Sequence, residues 1–251
     1  MPRLSVFTSF LIMMLVMIMV AAPVSAAPLK TNLFGLDGLF MATGGTVFPA
    51  GELVVGGSGL ILSDDNGDIT SVPLTVTYGV SAQVEVAAAF EIYKSVDYGG
   101  GNDDTGTGDL YLAGKYALQE ENADYPAVAV GLRLKLPMAD QPLSSEETDV
   151  ALFSAVELTM KSVRGILNVE YLMPGGDDEN QVIYVVGVGI PYSETTEFTL
   201  ELMDQSLVGD LFAAGATFDM GSSLNFGVAV GFGLNDPSAD FATMGKLNFT
   251  F

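Results

Sequence analysis

From Gly51 to the last residue, apolar and polar side chains alternate in repeated stretches, the period of a strand with one face in an apolar medium. In "QVEVAAAFEIY", Val84, Val86, Ala88, Phe90 and Ile92 share one face, and Gln83, Glu85, Ala87, Ala89, Glu91 and Tyr93 share the other. "PAVAVGLRLKL" sets Val128, Val130, Leu132, Leu134 and Leu136 against Ala129, Gly131, Arg133 and Lys135. "TEFTLELM" opposes Phe198, Leu200 and Leu202 to Glu197, Thr199 and Glu201, and "SSLNFGVAVGF" has Leu224, Phe226, Val228, Val230 and Phe232 on its apolar face. The pattern predicts about twelve strands: 51–62, 70–79, 83–93, 109–119, 126–136, 150–161, 165–173, 181–190, 196–204, 209–219, 223–233 and 242–251.

The links between these stretches alternate in kind. Those after odd-numbered stretches, such as "KSVDYGGGNDDTGTG", "PMADQPLSSEETD" and "PGGDDENQ", are mostly long and acidic, with "DQSLV" a short exception. Those after even-numbered stretches, "GVSA", "EENADYP", "SVR", "PYSET" and "MGSS", are mostly tight. Long outer loops, short periplasmic turns and an even strand count belong to transmembrane barrels. The expected fold is therefore all-β: a transmembrane antiparallel up-and-down β-barrel over 51–251, both chain ends on the periplasmic side. Residues 27–50 precede it as a periplasmic or lumen-entering segment. The last stretch, "GKLNFTF", alternates to the final residue. A barrel requires this, because its last strand must pair with its first; an open edge in lipid leaves backbone groups unpaired.

Composition sharpens the picture. Hydrophobic residues make up 49% of the chain and charged residues 16%, and mean hydropathy is +0.41. Beyond the first few dozen residues no apolar run reaches the roughly 20 residues of a membrane helix. The 29 glycines are spread through the alternating stretches, where they weaken helices more than strands. The opening "MPRLSVFTSFLIMMLVMIMVAAPVSAAP" has an early arginine, an apolar core and small residues before Ala27. It reads as a secretory signal peptide, residues 1–26, with cleavage after Ala26. Export plus a membrane barrel implies the outer membrane of a bacterium with two membranes. The absence of cysteine excludes a lipoprotein, a disulfide and thiol chemistry.

Net charge is −22, with 31 acids against 9 bases, which argues against a nucleic-acid partner. There is no histidine, and that removes the usual base of barrel phospholipases, proteases and deacylases; no catalytic residue, cofactor or metal site is expected. "DDNGD" at 64–68 and "GGDDEN" at 175–180 cluster oxygen ligands of the kind calcium or magnesium takes, or form a solvated anionic surface among lipopolysaccharide phosphates.

Several stretches resemble an outer-membrane β-barrel family named for transport in the phenol-degradation meta pathway. They are "LTVTYGVSAQVEVAAAF", "GTGDLYLAGKYAL", "PAVAVGLRLKLPMAD" and "DPSADFATMGKLNFTF". The matching motifs are Tyr78-Gly79 before a turn, Gly106, Gly108 and Asp109 opening a strand, and Leu134 to Pro137 closing one; Met138-Ala139 departs from the usual Thr-Gly. The resemblance implies import of small aromatic compounds. "GLDGLFMATGGTVFPAGE" looks like the opening of some exopolysaccharide-associated barrels, without their proline. The phenylalanine-ended last strand resembles the signature that outer-membrane barrels present to their assembly machinery, making Phe249 and Phe251 the expected assembly signal.

With apolar faces toward lipid, the polar faces give the lumen: Glu85, Glu91, Lys115, Arg133, Lys135, Glu157, Asn168, Glu170, Glu201 and Lys246, with Glu197, Thr199 and Asp219. Two arrangements are open. Lys115, Arg133 and Lys135 pair with Glu85, Glu91 and Glu157 and fill the barrel, or they line one wall of a pore with a transverse field. Small inward residues argue for free space. Oligogalacturonate and sialic-acid channels look arginine-rich inside, whereas Arg133 is the one lumen arginine expected here. The leading function is an outer-membrane channel or uptake barrel for small solutes, including aromatic or apolar compounds, with passive transport through a charged lumen and a cation preference set by the acidic outer loops. The alternative is a non-conducting surface barrel acting through its acidic loops in adhesion or envelope stability. The partners expected are outer-membrane lipid and lipopolysaccharide, the barrel assembly machinery and a small-molecule solute.

Overall fold

A computed structural model describes residues 30–251, apart from 66, 100–102, 162, 206–208, 222 and 236–237. The expected signal peptide lies outside the described residues. The strands are β1 (Leu53–Asp64), β2 (Gly67–Ser81), β3 (Val84–Asp97), β4 (Asp103–Gly106), β5 (Leu110–Gln119), β6 (Ala127–Leu136), β7 (Asp149–Met160), β8 (Val163–Met173), β9 (Gln181–Ser193), β10 (Thr196–Gln205), β11 (Gly209–Asp219), β12 (Leu224–Gly233) and β13 (Phe241–Thr250).

Twelve of these, all but β4, form one antiparallel up-and-down barrel. The short β4 pairs only with the far end of β3, from Lys94↔Gly106 to Asp97↔Asp103, so the long link after the third stretch begins as an extension of the sheet. The second and third strands also run further than the alternation indicates, to Gly67 and Asp97. Their polar tips pair beyond the apolar band, where alternation no longer signals a strand.

The seam closes between the first and last strands, from Val54↔Thr250 to Ser63↔Phe241. It runs to the final residue: Phe251 N–H donates to Leu53 O (2.8 Å), and Leu53 N–H donates to Phe251 O (3.3 Å). The last strand thus gives β1 its second partner and leaves no open edge. Two prolines interrupt the ladders. Pro73 and Pro191 lack an N–H, and each sits beside a register shift, in β2–β3 and β9–β10, the usual place for a strand proline.

The two faces divide as the alternation predicts. On β3, Glu85, Ala87, Ala89 and Glu91 are buried, while Val86 and Ile92 are exposed. On β13, Ala242, Met244, Lys246 and Asn248 are buried, and Leu247 and Phe249 are exposed. Exposed apolar side chains facing out and buried polar ones facing in invert the usual globular order; they make this a barrel whose solvent is lipid.

Residues 31–48 run inside the barrel. Leu36, Leu39, Phe40 and Ala42 are fully buried. Phe40 and Leu33 pack with Leu211, Ala213, Ala229, Ala242 and Met244, Leu39 and Ala42 with Ile166, Ile183 and Val185, and Leu36 with Ala87 and Phe153. The space implied by the small inward residues is thus occupied. Phe40 lies on two glycines: a Cβ on Gly227 would stand 2.9 Å from its Cζ, and one on Gly215 3.0 Å from its Cε2.

Candidate functional site: an occupied lumen with two chambers

The internal segment has almost no regular structure. Two isolated bridges, Thr31↔Asp37 and Gly38↔Thr43, satisfy few of its backbone groups, and each buried N–H or C=O left alone costs free energy. The barrel wall supplies the partners. Glu201 on β10 accepts three consecutive N–H groups, from Phe40 (2.9 Å), Met41 (2.7 Å) and Ala42 (2.7 Å). Glu85 on β3 accepts from Asp37 N (3.0 Å) and Phe48 N (2.9 Å). Glu157 on β7 accepts from Gly45 N (2.9 Å) and from Thr46 Oγ1 (3.3 Å). Asn168 on β8 brackets Thr43, accepting from its N–H (2.7 Å) and donating to its carbonyl (2.6 Å).

Cations take the carbonyls. Lys246 on β13 donates to Thr31 O (3.1 Å), Leu39 O (3.0 Å) and Gly38 O (3.4 Å), with its ammonium 4.7 Å from the Phe40 ring centroid. Lys115 on β5 donates to Gly44 O (3.3 Å) and pairs with Glu85 (3.5 Å). Ser58 donates to Leu33 O (2.8 Å) and Thr77 to Gly35 O, while Thr31 Oγ1 donates to Asn248 Oδ1 (2.6 Å). Most of these contacts read backbone rather than side chain, so the wall is a seat for this stretch of peptide.

Six of the lumen residues expected from sequence, Glu85, Lys115, Glu157, Asn168, Glu201 and Lys246, therefore meet on the segment. The other four stand nearer the end of the barrel that carries the long links, here termed the loop end; the turn end holds Lys30 and Phe251. Glu91 binds Ser71 Oγ (2.5 Å), Asp109 N (2.9 Å) and Lys94 (3.5 Å). Arg133 pairs with Glu170 (3.0 Å) and Lys135 with Asp149 (2.5 Å). Of the pairings expected of Lys115, Arg133 and Lys135, only Lys115–Glu85 forms as drawn, and register explains it. Glu85 lies directly opposite Lys115 and Asp149 directly opposite Lys135. Arg133 faces alanines on both sides, Ala113 and Ala151, and reaches past β7 to β8. Glu157 goes instead to Arg164 (3.3 Å). Arg164 thus corrects the expectation of a single lumen arginine; its place in the tight link "SVR" hid it, since β8 begins at Val163. Thr199 is buried, Asp219 accepts from Asn225 (2.7 Å), and the buried Glu197 carboxylate finds no hydrogen-bond partner among the described residues. Phe249 and Phe251 face outward, 42% and 75% exposed.

The segment separates two chambers of opposite character. At the turn end, a cavity of about 360 Å³ is lined by Lys30, Asp37, Glu52, Glu121, Glu157 and Arg164 among others. At the loop end, a cavity of about 240 Å³ is almost wholly apolar, walled by Leu60, Leu62, Ile183, Val185, Met203 and Met244 and floored by Leu33, Phe34 and Met41 of the segment. Its polar lining is the Arg133–Glu170 pair together with Thr43 and Asn168. The guanidinium lies between two rings, 5.6 Å from the Phe34 centroid and 5.8 Å from that of Phe153, and Phe34 in turn packs on Tyr111 at 5.1 Å. Sequence reasoning missed this floor; "LFGLDGLFMA" carried the signal, as an apolar run too short and glycine-broken for a strand or helix of its own.

Solved structures of similar fold include an outer-membrane channel of the COG4313 group from Pseudomonas putida F1, with a TM-score of 0.69 at 13% identity over 82% of this chain and 97% of that one. The KdgM porin matches with a TM-score of 0.56 at 7% identity, over 79% of this chain and 99% of its own. No protein-family model matches the chain, and no curated protein matches its sequence. At these identities the likeness is one of architecture: the chain has the fold of an outer-membrane channel barrel.

Proposed function

We propose that this protein is an integral outer-membrane channel that takes up small apolar solutes, with the loop end facing outward and residues 31–48 closing the axis. The observation that carries the reading is the apolar chamber above the segment. A cavity of about 150 Å³ lined by aliphatic and aromatic side chains already holds benzene, and this one is about 240 Å³. A mainly aliphatic chamber whose polar lining is one ion pair, Thr43 and Asn168 suits an aromatic ring or short alkyl chain better than a sugar or an ion. The similar channels support a channel role without bearing on the solute, and the resemblance to an aromatic-uptake family supports the apolar one. Five of the charged residues first expected to line a water-filled path, Glu85, Lys115, Glu157, Glu201 and Lys246, are engaged in seating the segment, so the open state requires its displacement. The final strand, with Phe249 and Phe251, would be what the assembly machinery receives, and lipopolysaccharide would surround the acidic loops.

The test is conductance and binding on one preparation of refolded mature chain. Toluene should bind in the micromolar to millimolar range, and the barrel should be nearly silent in a planar bilayer until the segment is loosened. The well-fastened segment also favours a second reading, a non-conducting surface barrel. Absence of toluene binding, together with silence after deletion of residues 31–48, would select that one.

A further inference from the structure

The loop end of the barrel is divided. On the side of β3 to β8 its inner wall carries the ion pairs Lys94–Glu91, Arg133–Glu170 and Lys135–Asp149. On the side of β1, β2, β10 and β11 there is instead a second cavity, of about 280 Å³, whose walls include Leu62, Ile69, Met203, Leu211, Ala239 and Asp64. Leu62, Met203 and Leu211 also wall the inner apolar chamber. The two cavities therefore meet at these three side chains.

We propose that Leu62, Met203 and Leu211 form the constriction through which solute passes from the mouth into the inner chamber, so that access runs along the axis on the apolar side of the barrel. This rests on reading the inner chamber as the solute site. An apolar molecule moving along the charged side would have to strip water from, or part, paired charges; on the side of β1, β10 and β11 it passes Ser63, Asp64 and Ser238 at the mouth and then meets Leu62, Met203 and Leu211. Met203 suits a constriction that must yield. Its unbranched thioether has three rotatable bonds and adapts to irregular gaps. It also packs against both the Phe40 and the Leu39 clusters, so a solute that displaces it pushes on the segment that closes the barrel. Leu211, 6% exposed and set in the Phe40 cluster, is the fixed side of the opening.

The chain contains neither cysteine nor tryptophan, which makes the route directly testable. Phe153→Trp places the sole indole in the inner chamber wall, and Met203→Cys places the sole thiol at the constriction. Nitrobenzene is mixed rapidly with this double variant in lipid nanodiscs, and quenching is followed before and after the thiol is capped with benzyl methanethiosulfonate. The expected result is rapid quenching that slows at least about tenfold on capping, equivalent to about 1.4 kcal/mol, and returns with dithiothreitol. The same cap on Met220→Cys, in the exposed turn between β11 and β12 at the opposite end, should leave the rate unchanged. Quenching that ignores the cap at position 203, or slows equally with the cap at position 220, would overturn the route while leaving the chamber as the site. Absence of quenching in the uncapped protein would overturn the chamber itself, and the route with it.

Discussion

Replacing Glu201 with alanine should unlatch the internal segment without unfolding the barrel. Glu201 is 1% exposed and its carboxylate takes the N–H groups of Phe40, Met41 and Ala42. Its removal strips three buried donors of their acceptor at once. Each donor left unsatisfied costs about 1–3 kcal/mol, and water entering the vacated space recovers part of that. Taking the low end for all three gives about 3 kcal/mol against the seated state, a rise of roughly a hundredfold in the displaced population. The strand itself should persist, because β10 pairs along its whole length with β9 and β11 through backbone groups. The assay is the labelling rate of a thiol at Thr43→Cys, a buried position on the segment, by a membrane-impermeant reagent. When opening and closing are fast, that rate tracks the open population. Conductance should rise in parallel. Lys135→Met, which breaks an ion pair that does not touch the segment, is the control and should leave labelling unchanged. Labelling within about twofold of the parent in a barrel that still shows folded mobility on an unheated gel would refute the idea that these three contacts hold the segment down.

Further outcomes follow from the same contacts. Gly227→Ala should dislodge Phe40, whose Cζ would lie 2.9 Å from the new Cβ; adding Phe40→Leu should restore slow thiol labelling at position 43, and failure of that rescue would place the clash elsewhere. Deleting residues 31–48 should give discrete, cation-selective conductance, since the bared wall presents Glu85, Glu157, Glu197 and Glu201 against Lys115, Arg164 and Lys246; a reversal potential of the anionic sign would refute this balance. Truncation after Asn248 removes the Val54↔Thr250 and Val55↔Phe249 pairings and should abolish heat-modifiable folding into lipid, whereas Phe251→Ala, which keeps the backbone bonds to Leu53, should fold in vitro and lose yield only where the assembly machinery is needed.

The barrel was legible in the sequence because a strand between lipid and lumen must alternate at every residue, and links of unequal length reveal which end is which. The segment before the barrel, 27–50, was legible as periplasmic or lumen-entering, with nothing in its pattern to choose between the two. Its buried residues follow no strand alternation: Leu33, Leu36 and Leu39 fall three apart with Phe40 beside the last, and Gly187 leaves room for Leu39 and Gly215 and Gly227 for Phe40 on three different strands. Pairwise partners failed for the same reason. Lys115 and Glu85 sit opposite each other, whereas Arg133 finds Glu170 only after two registers are combined, and Arg164 lay hidden by a strand boundary one turn away.

The distribution of charge inside the barrel then acquires a different meaning. A lumen with glutamates and lysines reads at first as a path for ions. In the structure those residues are concentrated where an irregular peptide crosses the barrel, and they answer it group by group, carboxylates to N–H and ammonium to carbonyl. An irregular backbone in a membrane barrel is tolerable only with such partners, so the charges are a consequence of having a segment inside. Where the segment ends, toward the loop end, the walls on β1, β9, β10 and β11 turn aliphatic and the apolar chamber opens. On this view the polar lumen residues encode the closure and the apolar ones encode the cargo. Charge-neutral substitutions at Glu85 and Glu157 should therefore change how often the channel opens far more than which solutes it admits, while Ile183→Ser or Val185→Ser should do the reverse.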